Sequence, residues 1–148
     1  MRTIIVMGII AGIALLYSCK KEPVKVVGPD AKVHFFTGKV TVNGSPTAQG
    51  SPVKYGDVIE TANKSMVRIL ITEKTMLQLG QDSKLTFNIS DMDNTLAIER
   101  GWLAGITRKV FTREGKFSVK TPTMVASIRG TSFCMKVEDP KSSYFCVC

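Results

Sequence analysis

From Val33 onward the chain alternates apolar and polar residues in short runs broken by turn residues, and no stretch sustains a 3.6-residue periodicity. Helices cannot account for such a pattern. It predicts an all-β domain, a compact roll or sandwich of short, mostly antiparallel strands and hairpins. Val33 to Val42 reads as a strand with a bulge at Gly38, and Asn43-Gly44 supplies a tight turn before a loop from Ser45 to Pro52. Gly56-Asp57 turns the chain into Val58 to Thr61. Met66 to Thr72 reads as a central strand with Val67, Ile69 and Ile71 on one side, and Glu73-Lys74 makes a corner into Met76 to Leu79. Gln81-Asp82-Ser83 then leads to a strand that sends Leu85, Phe87 and Ile89 inward, and Ser90 to Asn94 is a polar turn. Thr95 to Glu99 and Gly101 to Ile106 read as two strands with a corner between them, and Phe117 and Val119 alternate inward before Pro122 ends that run. No full sequence repeat is evident.

Thr121 to Val137 poses a parity conflict. Counting in twos from Phe133 puts Phe133, Met135 and Val137 on one face, and an unbroken strand would place Arg129 on that face and Ile128 opposite. A bulge at Gly130 sends Ile128 into the core and Arg129 outward. Without it, Arg129 is buried and requires a carboxylate, with Asp57, Glu60 and Glu99 as candidates, because an unpaired buried charge costs about 3–5 kcal/mol. Either way Arg129 is structural first, with ligand contact as its other role.

The beginning of the chain carries a different signal. Met1-Arg2-Thr3, the apolar run Ile4 to Leu16 and the sequence Leu16-Tyr17-Ser18-Cys19 describe an export signal ending in a motif that resembles a lipobox. That run falls short of the about 20 residues a membrane-spanning helix needs. The expectation is therefore a signal peptide over 1–18, removed so that Cys19 becomes an acylated N-terminus, with palmitate-type chains holding the protein on a membrane. Residues 19–32, rich in Lys, Pro and Gly, form a flexible tether, and 33–148 form the β domain. Export takes only Arg2 from a net charge of +8. The basic segment containing Arg100, Arg108, Lys109, Arg113, Lys116 and Lys120 would meet nucleic acid in a cytoplasmic protein, but an exported one has no access to it. An anionic envelope polymer or a solvated face takes its place.

Of the four cysteines, three remain after Cys19. Asp139-Pro140-Lys141-Ser142 folds Ser132 to Glu138 against Ser143 to Cys148, which places Cys134, Cys146 and Cys148 on one face and Phe133, Met135, Val137, Phe145 and Val147 on the other. A Cys134–Cys146 disulfide closes symmetrically about Pro140, with Cys148 as the register-shifted competitor. A zinc site lacks its fourth ligand, since His34 is the single histidine and lies far away in sequence. No metal, no cofactor and no catalytic set is expected: the acids Asp57, Glu60, Asp82, Asp91, Asp93 and Glu99 are scattered at turns where solvation explains them.

Thr121-Pro122, then Ile128-Arg129-Gly130-Thr131 with Phe133 following, is similar to the signature of the FecR-like domain. Upstream, Gly38-Lys39-Val40, Gly56-Asp57-Val58-Ile59-Glu60-Thr61, Ser65 before a strand and Glu99-Arg100-Gly101-Trp102-Leu103 extend the resemblance in the family's order. It implies an extracytoplasmic, non-catalytic domain of the bacterial cell envelope, associated with cell-surface signalling and binding. The family motif residues so marked are Gly56, Asp57, Thr61, Arg129, Gly130, Thr131 and Phe133. The signalling members carry a sigma-regulating segment and a membrane helix before the domain, and this sequence has neither ahead of its apolar run. The family domain also continues with a Gly-containing turn and a further strand, so the last hairpin here is expected to lack a neighbour. The partner is then an unknown envelope protein or polymer. A disulfide-linked structural lipoprotein, self-associating through an open sheet edge, is the second expectation.

Overall fold

Alternation with a period of two obliges each strand to bury one face, and among its described residues the computed structural model satisfies that demand with strands alone. The structure describes residues 30–73, 75–90, 93–107 and 117–147. The export signal, Cys19, the tether up to residue 29, Lys74, Asp91, Met92, Arg108 to Lys116 and Cys148 lie outside them, while Ala31 and Lys32, read as the end of the tether, open the first strand. In chain order the strands are β1 (Ala31–Thr37), β2 (Val40–Val42), β3 (Ser45–Pro46), β4 (Pro52–Val53), β5 (Asp57–Thr61), β6 (Met66–Thr72) and β7 (Thr75–Leu79). They continue as β8 (Lys84–Ile89), β9 (Asn94–Thr107), β10 (Phe117–Lys120), β11 (Val125–Ile128), β12 (Ser132–Asp139) and β13 (Ser142–Val147).

Two curled layers result, and they share β9. One layer runs β4-β1-β6-β7-β9-β12-β13 and the other β3-β2-β5-β8-β9-β10-β11. Among the described residues every pairing is antiparallel except that of β10 with β9. Together they make a half-barrel, closed on one side by the shared strand. Phe117 of β10 meets Phe133 of β12 edge-to-face across the interior, with ring centroids 5.9 Å apart. Around them pack Val67, Ile69, Leu85, Phe87, Leu96 and Leu103, all buried.

β9 is one hydrogen-bonded strand where the sequence reads two. Its first half pairs with β8, its second half with β7 and β12, and the corner falls between them. The register slips opposite Lys84 and Leu85, so Glu99 is an extra residue that pairs with nothing across the ladder. This bulge flips the parity: Leu96 and Ile98 face inward before it, Leu103 and Thr107 after it. Both strands the sequence implies are thus present, bent into one.

The parity conflict at Arg129 resolves by a layer change. β11 ends at Ile128 in one layer and β12 begins at Ser132 in the other, and Arg129-Gly130-Thr131 is the crossing. Gly130 has φ +70°, Ile128 is buried and Arg129 is exposed. The acids considered as partners serve other groups: Glu60 pairs with Arg100, Glu99 with Lys84, and Asp57 holds a turn. In β1 the bulge lies at His34 rather than Gly38, since the register slips between Val33 and Phe35 and His34 points to solvent. Gly38 instead ends the strand.

Candidate functional site

Two turns lie side by side at the corner of β9, and they are built alike. Thr61-Ala62-Asn63-Lys64-Ser65 leads into β6, and Leu79-Gly80-Gln81-Asp82-Ser83 leads into β8. In each, the residue before the serine takes a positive φ, 54° at Lys64 and 52° at Asp82. In each, the serine is buried and its hydroxyl donates to the carbonyl two residues back, Asn63 or Gln81, at 3.1 Å. Each serine oxygen then accepts a backbone N–H from a segment distant in sequence, Lys39 between β1 and β2 for Ser65 and Trp102 of β9 for Ser83, both at 2.9 Å.

Glycine makes both contacts feasible. A Cβ on Gly38 would sit 2.3 Å from Ser65 Oγ, and one on Gly101 would sit 2.1 Å from Ser83 Oγ and 2.5 Å from Ser83 Cα. Both glycines also have positive φ, +73° and +91°. The two Gly–Ser latches form a structural repeat that the sequence hides, because only the serine, the glycine and the following alternation recur. The two turns are tied to each other. Asp82 N–H donates to the Ala62 carbonyl at 3.2 Å, Lys64 N–H to Gln81 Oε1 at 3.2 Å, and Thr61 N–H to the Ser83 carbonyl at 3.0 Å. Thr61 Oγ1 donates to the Gly80 carbonyl and accepts from Ser83 N–H at 3.0 Å.

Above this frame lie two adjoining depressions. One, of about 360 Å³, is lined by Lys39, Glu60, Asn63, Asp82 and Arg100 among others. The other, of about 730 Å³, shares Asp82 and Arg100 and extends over Gln81, Trp102, Lys136 and Glu138. Arg100 Nη2 lies 3.1 Å from Glu60 Oε2, and Lys136 pairs with Glu138. That hydrogen bond, and then the charge of Glu138, hold the Lys136 amine above the ordinary lysine range. The half-buried Trp102 lies against Gly80, where a Cβ would approach the indole to 3.1 Å.

The marked family residues fall into three places. Thr61 is inside the frame just described. Gly56 and Asp57 belong to a separate turn: the Asp57 carboxylate accepts Lys54 N–H at 2.7 Å and Asn43 Nδ2 at 2.8 Å, and Asn43 Oδ1 accepts Val58 N–H at 2.9 Å. Arg129, Gly130 and Thr131 make the layer crossing, with Phe133 buried beside it. Ahead of that crossing, Thr121 Oγ1 accepts Met124 N–H at 3.0 Å and closes the turn at Pro122. These residues build corners rather than one site.

A family model described as FecR protein matches residues 57–147. The chain belongs to the FecR family. No curated protein and no solved structure matches it. FecR proteins are an envelope-associated, regulatory and non-enzymatic family with a link to signalling. In this FecR domain Cys134 and Cys146 lie opposite each other in the β12–β13 ladder and are joined by a disulfide, with Cα atoms 5.3 Å apart. Among the described residues no three metal-type side chains come together, and no helix is long and apolar enough to cross a membrane.

Sequence reasoning missed Ser83, Trp102 and Asp82 as members of one corner, Ser83 buried beneath it and the other two lining the depression above. The signal that would have found them is the spacing: Ser65 and Ser83 each follow a polar turn and each open a strand of the same alternation.

Proposed function

We propose that this FecR domain is exported, acylated at Cys19 and held on the extracytoplasmic side of a bacterial membrane, where it acts without catalysis by binding an envelope protein in cell-surface signalling. The observation that supports it is the outer edge of β13. Among the described residues this strand pairs with β12 alone, and its run Ser142 to Val147 contains no charge and no proline. The other outer strands are guarded: β3 and β4 have two residues each, with Pro46 and Pro52, and β11 has four. The sequence reading placed Phe145 and Val147 on the core face, and they are on it, yet no described residue covers them and they are 37% and 59% exposed. An uncharged edge with apolar side chains uncovered accepts a strand from a partner.

Two measurements test this. Palmitate labelling should depend on Cys19; label that persists in Cys19→Ala, or no label at all, rejects the anchor. A photo-crosslinking residue at Val147 in living cells should yield an adduct with an envelope protein, while one at Arg68 on the exposed face of β6 should not. Equal adducts at both positions would remove β13 as the docking edge.

The same uncharged edge supports a second reading, antiparallel pairing of β13 with β13 of another copy. Covalent assembly would then fall to Cys148, since Cys134 and Cys146 hold each other. Adducts between two copies at Val147 would favour this structural role over signalling.

A further inference from the structure

We propose that the paired depressions around Trp102 form a binding site for a neutral oligosaccharide. The site lies on the outer face of the layer and reaches β13 only through Tyr144, so it does not depend on a partner pairing with the edge of that strand. Three observations carry it: the charge balance of the walls, the position of the aromatic rings, and the state of the backbone beneath.

The walls hold three cations, Lys39, Arg100 and Lys136, and three carboxylates, Glu60, Asp82 and Glu138. Arg100 and Lys136 already have carboxylate partners. On a chain with net charge +8 this is a locally neutral surface. An anionic polymer is bound by unpaired cations that displace its counterions, and here two of the three cations are held by carboxylates while the wall charges balance in number. The chemistry on offer is instead neutral in sum: a guanidinium that donates to a hydroxyl oxygen, carboxylates that accept a hydroxyl proton, and the amides of Asn63 and Gln81, which can do either.

Beside these groups stands the indole of the chain's single tryptophan. It lies on the outer face of the layer, in register with Lys136, which is in register with Tyr144. Two strand spacings put the Trp102 and Tyr144 positions about 9.5 Å apart on that face, and Tyr144 is exposed. A sugar ring offers an apolar C–H face to an aromatic ring and a rim of hydroxyls to its neighbours. Two such rings on one flat face, with polar groups between and beside them, suit several linked sugars better than one. A peptide strand does not fit, because β9 already has β7 and β12 on its two sides and its ladder groups are taken.

The lone tryptophan reports on its own site. Full-length protein in detergent is titrated with a β-1,4-linked N-acetylglucosamine tetrasaccharide, a maltotetraose and, as the anionic alternative, heparin. Expected is a saturable change in Trp102 emission with a neutral sugar. Asp82→Asn keeps a residue that tolerates positive φ, and Arg100→Ala removes the guanidinium; each should weaken binding at least about ten-fold at unchanged melting temperature. Calorimetry with Trp102→Ala should show the binding heat lost. No saturable response to either neutral sugar up to about 10 mM, or binding that survives all three substitutions, overturns the proposal, as does heparin binding that Arg100→Ala abolishes.

Discussion

Gly101 and Gly130 both take a positive φ, +91° and +70°, but have opposite surroundings. Nothing lies within 4 Å of a Cβ on Gly130, whereas a Cβ on Gly101 would collide with Ser83 backbone and side chain alike. Gly130→Ala should therefore cost only the left-handed conformational penalty, about 1–2 kcal/mol, while Gly101→Ala adds overpacking and should cost about 2–5 kcal/mol. Urea unfolding of the two variants measures the difference, and equal losses would mean that the corner yields. Ser83→Ala leaves the Trp102 N–H without its acceptor and should cost about 1–3 kcal/mol, measured the same way. The family resemblance already marked Gly101, and Ser83 reads only as a turn residue in the sequence. Their contact spans 18 positions that no local pattern connects. Turn residues announce themselves by composition, but the partner of a turn does not.

At the scale of the hairpin, β13 is held by one ladder and one covalent bond. Its disulfide closes a sequence separation of 12, which is worth about 3 kcal/mol when reference and native states are unstrained. Replacing both Cys134 and Cys146 by Ser should lower the unfolding free energy by about that amount and release β13 first. Hydrogen exchange would show it: amides of β13 should lose protection while those of β6 and β8 keep theirs. Uniform loss across all three strands would place β13 inside the main cooperative unit. The hairpin register was legible in the sequence, because Pro140 fixes its centre and the even spacing of the cysteines fixes its faces. The uncovered state of Phe145 and Val147 was not legible from alternation, which says which way a side chain points and never whether anything meets it.

For the whole molecule, β9 decides the behaviour. The all-β class and most strand limits followed from alternation, but the sharing of one strand by two layers did not, because a bulge at Glu99 looks in sequence like the gap between two strands. Since β9 pairs with β8 and β10 in one layer and with β7 and β12 in the other, the layers cannot unfold separately without breaking it. Thermal unfolding should be a single transition, with Trp102 emission and far-ultraviolet circular dichroism changing together. Two separated midpoints would mean that the layers melt independently. The order of strands has a mechanical corollary. The chain enters at β1, and β13 lies five strand steps away along the curved layer, about 24 Å at 4.8 Å per step. Whatever Ala31 is fastened to and whatever grips β13 therefore pull on opposite flanks, across the strands rather than along them. A tug in that direction peels ladder bonds one after another, so the far hairpin would let go under gentle traction and spare the rest of the domain.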